Sequence, residues 1–96
     1  MAAETFEHLH EELLELLDSV HREREDLQLQ LHLAKAELRD EVEALDEKRR
    51  HFQHKVVAAR TATKSVSEDV GAAMRLVGDE LVRGYRRIRA DIRAAS

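Results

Sequence analysis

The 96-residue chain contains no proline, no cysteine and no tryptophan, and only three glycines and three aromatic residues. Without cysteine there is neither a disulfide framework nor a thiolate metal site. Without proline, and with so little glycine, the residues that punctuate turns and strands are missing along almost the whole length, which excludes a sandwich or barrel of many short strands. So few large aromatic side chains, in a chain with 38% charged residues, leave little to fill the core of a conventional enzyme. No uncharged apolar run is longer than Val70-Gly71-Ala72-Ala73-Met74, far below the roughly 20 residues that span a bilayer. Basic residues are missing from one end: residues 1–18 carry six acids and no Lys or Arg, the reverse of the basic start of an export signal. Together these absences predict a cytoplasmic protein.

What is present is helical. Ala, Leu, Glu and Arg dominate, as in long helices. Phe6, Leu9, Leu13, Leu16 and Val20 alternate spacings of three and four, Leu17 widens the stripe, and Leu27 falls on the same frame. From Leu27 the stripe runs through Leu31, Ala34, Leu38, Val42, Leu45, Arg49, Phe52, Val56, Ala59, Thr63, Val66, Val70, Met74, Val77, Leu81, Tyr85 and Ile88 to Ile92, a mean step of 3.61 residues. That is the period of an undistorted helix, so little supercoiling is expected. Between Leu27 and Leu33 apolar and polar residues alternate strictly, as in a strand. The helical period enters and leaves this stretch without a turn signal, and the extra leucines make a second stripe of Leu29, Leu33 and Ala36. It is therefore read as helix.

The expected fold is one all-α domain over residues 1–96: a long helical hairpin or coiled coil that associates into a helical bundle. Its first helix covers about 4–60, its turn about 60–66 and its second helix about 66–94. The turn is placed where Thr61, Thr63, Ser65 and Ser67 gather, and where Ser65 with Glu68 fits a capping box. Two alternatives stand beside it, a three-helix chain broken near Arg22 to Asp26 and an unbroken rod. At about 1.5 Å per residue the rod is about 145 Å long and the long arm of the hairpin about 85 Å.

A shorter second arm leaves the N-terminal seam bare, and Phe6, Leu9, Leu13, Leu16, Leu17 and Val20 then form an apolar patch larger than a monomer tolerates. This predicts a homo-oligomer, dimeric or larger. Charge suggests the direction. Residues 1–48 carry a net −10 and residues 49–96 a net +6, so an antiparallel arrangement would place the acids of residues 1–18 near Arg83, Arg86, Arg87, Arg89 and Arg93. Gly71 and Gly78, seven residues apart, share a helix face and predict the close approach of another helix, so they join the candidate self-association surface.

Candidate chemistry is sparse. Glu7 with His10 and Asp18 with His21 each place an acid three residues before a histidine, which is half of a di-iron bundle signature, but the inward carboxylates that such a site also needs are not evident. The six histidines are read as lying on solvated or boundary faces, and no metal or other cofactor is expected. The segment Gly84 to Arg93 reads as a basic amphipathic helix whose four arginines, with Arg83 just before it, could contact an anionic partner. Its apolar residues continue the bundle stripe, and a pI near 5.8 opposes non-specific nucleic-acid binding. No nucleophile–base pairing, phosphate loop or calcium loop is present.

At Gln30-Leu31-His32-Leu33-Ala34, Glu37-Leu38-Arg39-Asp40-Glu41 and Leu45-Asp46-Glu47-Lys48, the chain resembles small, highly charged helical bacterial proteins of uncharacterised function, over about residues 22–50. The resemblance implies a small bacterial helical protein and carries over no activity and no site residue. The expected function is a non-catalytic structural or adaptor role through helix–helix self-association, with a further protein as a second kind of partner. The rival expectation is a phasin-like or apolipoprotein-like coat on a lipid or polyester surface.

Overall fold

A computed structural model describes residues 2–61 and 68–95, with side chains described for 8–59 and 69–95. The chain is an all-α bundle of three helices: α1 (Ala2–Gln28), α2 (Ala36–Thr61) and α3 (Glu68–Ala95). It measures 51 × 19 × 17 Å. That is neither the rod nor the long-armed hairpin.

The single helix expected over 4–60 is in fact two. Its break lies at residues 29–35, in the stretch of alternating leucines, and not at Arg22 to Asp26, which stay inside unbroken α1. The corner needs no special residue. Gln30 and Ala34 donate backbone hydrogen bonds to the carbonyls of Leu27 and Leu31, tightening residues 31–33 into a short 3-10 turn, and Ala34 then opens to φ −78°, ψ 140°. Every one of these conformations is open to an ordinary residue, and none of the described residues has a positive φ. The alternation serves the corner: Leu27 is buried and Leu31 packs against the core, while Leu29 and Leu33 stand 75% and 55% exposed.

The second reversal lies between Thr61 and Glu68. The expected turn at 60–66 and its Ser65 cap fall mainly on residues 62–67, outside the described ones. Glu37 in the first turn of α2 and Arg93 in the last turn of α3 complement the dipoles of their helices.

Each helix contributes one apolar stripe to a common core. Leu13, Val20 and Leu27 of α1, Val42, Phe52 and Val56 of α2, and Leu81, Tyr85, Ile88 and Ile92 of α3 are all 2% exposed or less. Burial of a side chain of this size contributes about 1.5–3 kcal/mol, against about 0–1 for an exposed ion pair, so the core sets stability and the charges sort orientation.

The N-terminal seam is not bare. With three helices, α3 runs parallel to α1 and covers it. A Cβ at Gly71 would strike Leu9, and one at Gly78 would strike both Leu16 and, at 2.9 Å, Phe52 of α2. Leu13, Leu17 and Val20 are buried and Leu9 and Leu16 packed against the same core; the side chain of Phe6 lies outside the described residues. The exposed patch that argued for a second chain is thus closed within one chain, and the helix that approaches both glycines is α1 of that chain. The expected antiparallel pairing of acidic and basic arms is corrected for the same reason: an odd number of helices makes the first and last parallel.

The glycines separate by what a methyl group would meet. Gly78→Ala should destabilise the bundle by about 1 kcal/mol net, because overpacking between two helices costs about 1–3 kcal/mol and alanine returns about 1 in helix propensity. The nearest atoms a methyl group at Gly84 would meet are the terminal methyls of half-buried Leu45, the flexible end of a side chain, so Gly84→Ala should be near neutral. Urea denaturation of the two variants checks the contrast.

Candidate functional site

Two features stand out: a polar cluster that joins the three helices, and an apolar groove with a basic rim between α2 and α3.

The cluster centres on Asp46 of α2. Arg24 of α1 donates to it through two nitrogens, at 2.7 and 3.1 Å, and the hydroxyl of Tyr85 of α3 donates to Oδ1 at 2.7 Å. Arg49 Nε lies 3.8 Å away, an ion-pair distance too long for a hydrogen bond, and has no hydrogen-bond partner. Burial pushes the Asp46 carboxyl up, but the hydrogen bonds from Arg24 and Tyr85 and the charges of Arg24 and Arg49 outweigh it and hold it below the ordinary 3.8. Burial, followed by the bond to Asp46, pushes the Tyr85 hydroxyl well above its ordinary value. A proton so firmly held, on a side chain with no exposed surface, suits a structural tie and not acid–base exchange.

The five arginines proposed for an anionic partner divide. Arg86 pairs with Glu23 at 2.9 Å, and Arg89 lies 3.3 Å from Glu23 and 3.1 Å from Asp26, so both are held by α1. Arg87 faces Glu41 of α2 at 3.7 Å. Arg83 is exposed and makes no ion pair among the described residues, and Arg93 lies in the last turn of α3. Arg75, outside the expected set, pairs with Glu12. The acids nearest the arginines are therefore mainly Glu23 and Asp26, beyond the residue 1–18 segment.

The histidines do not converge. His8 approaches Glu12 at 3.5 Å, His21 Nε2 lies 3.2 Å from Gln53 Oε1, and His32, His51 and His54 are exposed. Among the described residues no group of three or more His, Asp or Glu could hold a metal ion. No helix of the described residues is long and apolar enough to cross a membrane.

The groove was not foreseen. Two adjoining hollows of about 590 and 250 Å³ share Lys48 and Glu80 and run along the α2–α3 seam. Leu45, Gly84 and Leu76 line one; Phe52, Met74, Ala73 and Val77 line the other. Leu76 is 68% exposed and Val77 37%. Lys48, His51, Lys55, Arg83 and Arg87 form the rim, against Glu80 alone among the lining acids. The stripe placed Val77 in the core. It faces the seam because the core-facing arc of α3, set by Met74, Leu81, Tyr85 and Ile88, is narrower than the apolar arc.

No protein-family model, curated protein or solved structure matches this chain.

Replacing Asp46 by Asn leaves Arg24 and Arg49 without their countercharge and should cost about 2–3 kcal/mol, less than the roughly 3–5 of a fully buried pair because solvent still reaches these side chains. Tyr85→Phe should cost about 1–2 kcal/mol. Because the carboxyl of Asp46 is depressed in the fold, its contribution is fully present above the ordinary carboxylate value and is lost as pH falls through the folded one. The stability of the wild type should therefore decline more steeply below about pH 4 than that of Asp46→Asn, as read by denaturation at stepped pH.

Proposed function

We propose that this chain is a non-catalytic structural or adaptor module that acts by helix–helix association through the outer face of α2 and α3. The observation that carries the reading is Leu76, a large apolar side chain mostly exposed beside a seam already lined by Leu45, Phe52 and Val77. Isolated surface leucines are ordinary, but one continuous with an apolar groove marks a contact surface. The polar groups at the centre of the bundle support the same reading, since Arg24, Asp46 and Tyr85 are engaged with one another. Association no longer rests on the N-terminal seam, whose leucines pack against α3.

A coat on a lipid or polyester surface is the second reading, and Leu29 and Leu33 favour it as apolar tips at one end of the bundle. Spreading the helices on such a surface would separate Arg24 and Tyr85 from Asp46, a cost that association through the outer groove avoids.

The wild-type chain, immobilised and exposed to a lysate of its source organism, should retain a protein that the Leu76→Asp variant does not. Retention of no protein, together with co-sedimentation of the chain with anionic liposomes, would replace the module by the coat.

A further inference from the structure

We infer that the α2–α3 groove is a receptor for one acidic amphipathic helix of another protein, which docks as a fourth helix of the bundle. The inference rests on the module reading above and names the partner's chemistry.

Shape comes first. The groove runs along α3 from Ala73 to Arg87, about 21 Å at about 1.5 Å per residue, or four helical turns. A helix of that length presents four apolar side chains at i, i+4, i+7 and i+11 along one ridge, the pattern by which amphipathic helices enter grooves. The floor offers matching apolar surface in half-buried Leu45 and in the exposed Leu76 and Val77, above buried Phe52.

Charge selects the partner. Along the rim Lys48 meets Glu80 at 3.7 Å and Arg87 meets Glu41 at 3.7 Å, both exposed pairs of small value. Lys55 and Arg83 have no ion pair among the described residues. Two paired and two unpaired cations around an apolar floor favour glutamates or aspartates on both flanks of the incoming ridge. A second copy of this chain does not fit. Two such grooves face to face oppose like charges, and the outer face of α1, with Glu11, Glu15, Asp18 and Glu25 exposed, is acidic but shows Leu14 as its one large exposed apolar residue among the described side chains.

The test is a displayed library of 18-residue helical peptides with leucine at i, i+4, i+7 and i+11 and random flanking positions, selected against the full chain. Enriched peptides should carry net negative flanks. Their binding should weaken about tenfold in Lys55→Glu/Arg83→Glu, a variant of two exposed residues whose fold is checked by circular dichroism, and should weaken with added salt. Leu76→Asp should weaken it as well. The inference is overturned if no peptide enriches, if enriched flanks are neutral or basic, or if binding ignores these substitutions. It is equally overturned if the charge-reversed variant loses affinity for duplex DNA or anionic vesicles while no acidic peptide binds. If the library fails but the immobilised chain still retains a protein through Leu76, the acidic helix is wrong and the module reading stands.

Discussion

A charged polypeptide with an apolar stripe on each helix must bury the core-facing part of every stripe, and here three helices closed on one axis do so while Leu76 and Val77, at the edge of the α3 stripe, stay exposed. Two helices would leave part of each stripe in water, as the bare seam of the hairpin shows. Three satisfy the constraint within 96 residues, and the topology then follows: up, down and up, with α3 parallel to α1. Gly71 and Gly78 belong to that closure, since they let α3 settle beneath Leu9 and Leu16 where a methyl group would collide. A parallel first and third helix also brings Glu12, Glu23 and Asp26 level with Arg75, Arg86 and Arg89.

Apolar stripes attract without specifying register, because a helix slid by one turn buries much the same surface. The Arg24–Asp46–Tyr85 cluster supplies what the stripes lack. One carboxylate accepts from two other helices at once, and a slip of any helix by a turn, about 5.4 Å, would strand a charge or a hydroxyl away from water. The cluster adds little net stability, since desolvation opposes the attraction, yet it penalises each alternative packing. It lies between helices that meet nowhere in sequence, with Tyr85 separated from Asp46 by 39 positions.

The helical class, the stripe from Leu27 to Ile92 and most of the buried residues were legible in the sequence, because burial on a helix leaves a period that survives any loop. That same survival hid the corner at 29–35. The stripe keeps phase through it, and a turn made from a 3-10 segment and one extended alanine needs neither glycine nor proline. The only mark is the alternation of Leu27, Leu29, Leu31 and Leu33, where the helix period gives way to a period of two. Arg49 appeared as a polar interruption of the stripe, and its position beside Asp46 explains why a cation is tolerated there. The groove was illegible for a different reason: it depends on how far α2 and α3 turn about their axes, which Tyr85 and Asp46 help to set and which no spacing along one helix records.

The opposed charges of the two halves of the chain explain why cations remain along the α2–α3 seam. Acidic α1 can reach only one flank of α3, and there it meets Arg75, Arg86 and Arg89. The other flank faces α2, which carries Glu41 near its start but Lys48 at its middle and Lys55 in its second half. Antiparallel packing sets that basic stretch against the middle of α3, where Glu80 is the one acid lining the seam to meet Lys48, Lys55 and Arg83. Reversing the order of charge along α2 would have neutralised the seam from within, and the distribution that favours α1 against α3 therefore leaves a positive border around the apolar groove.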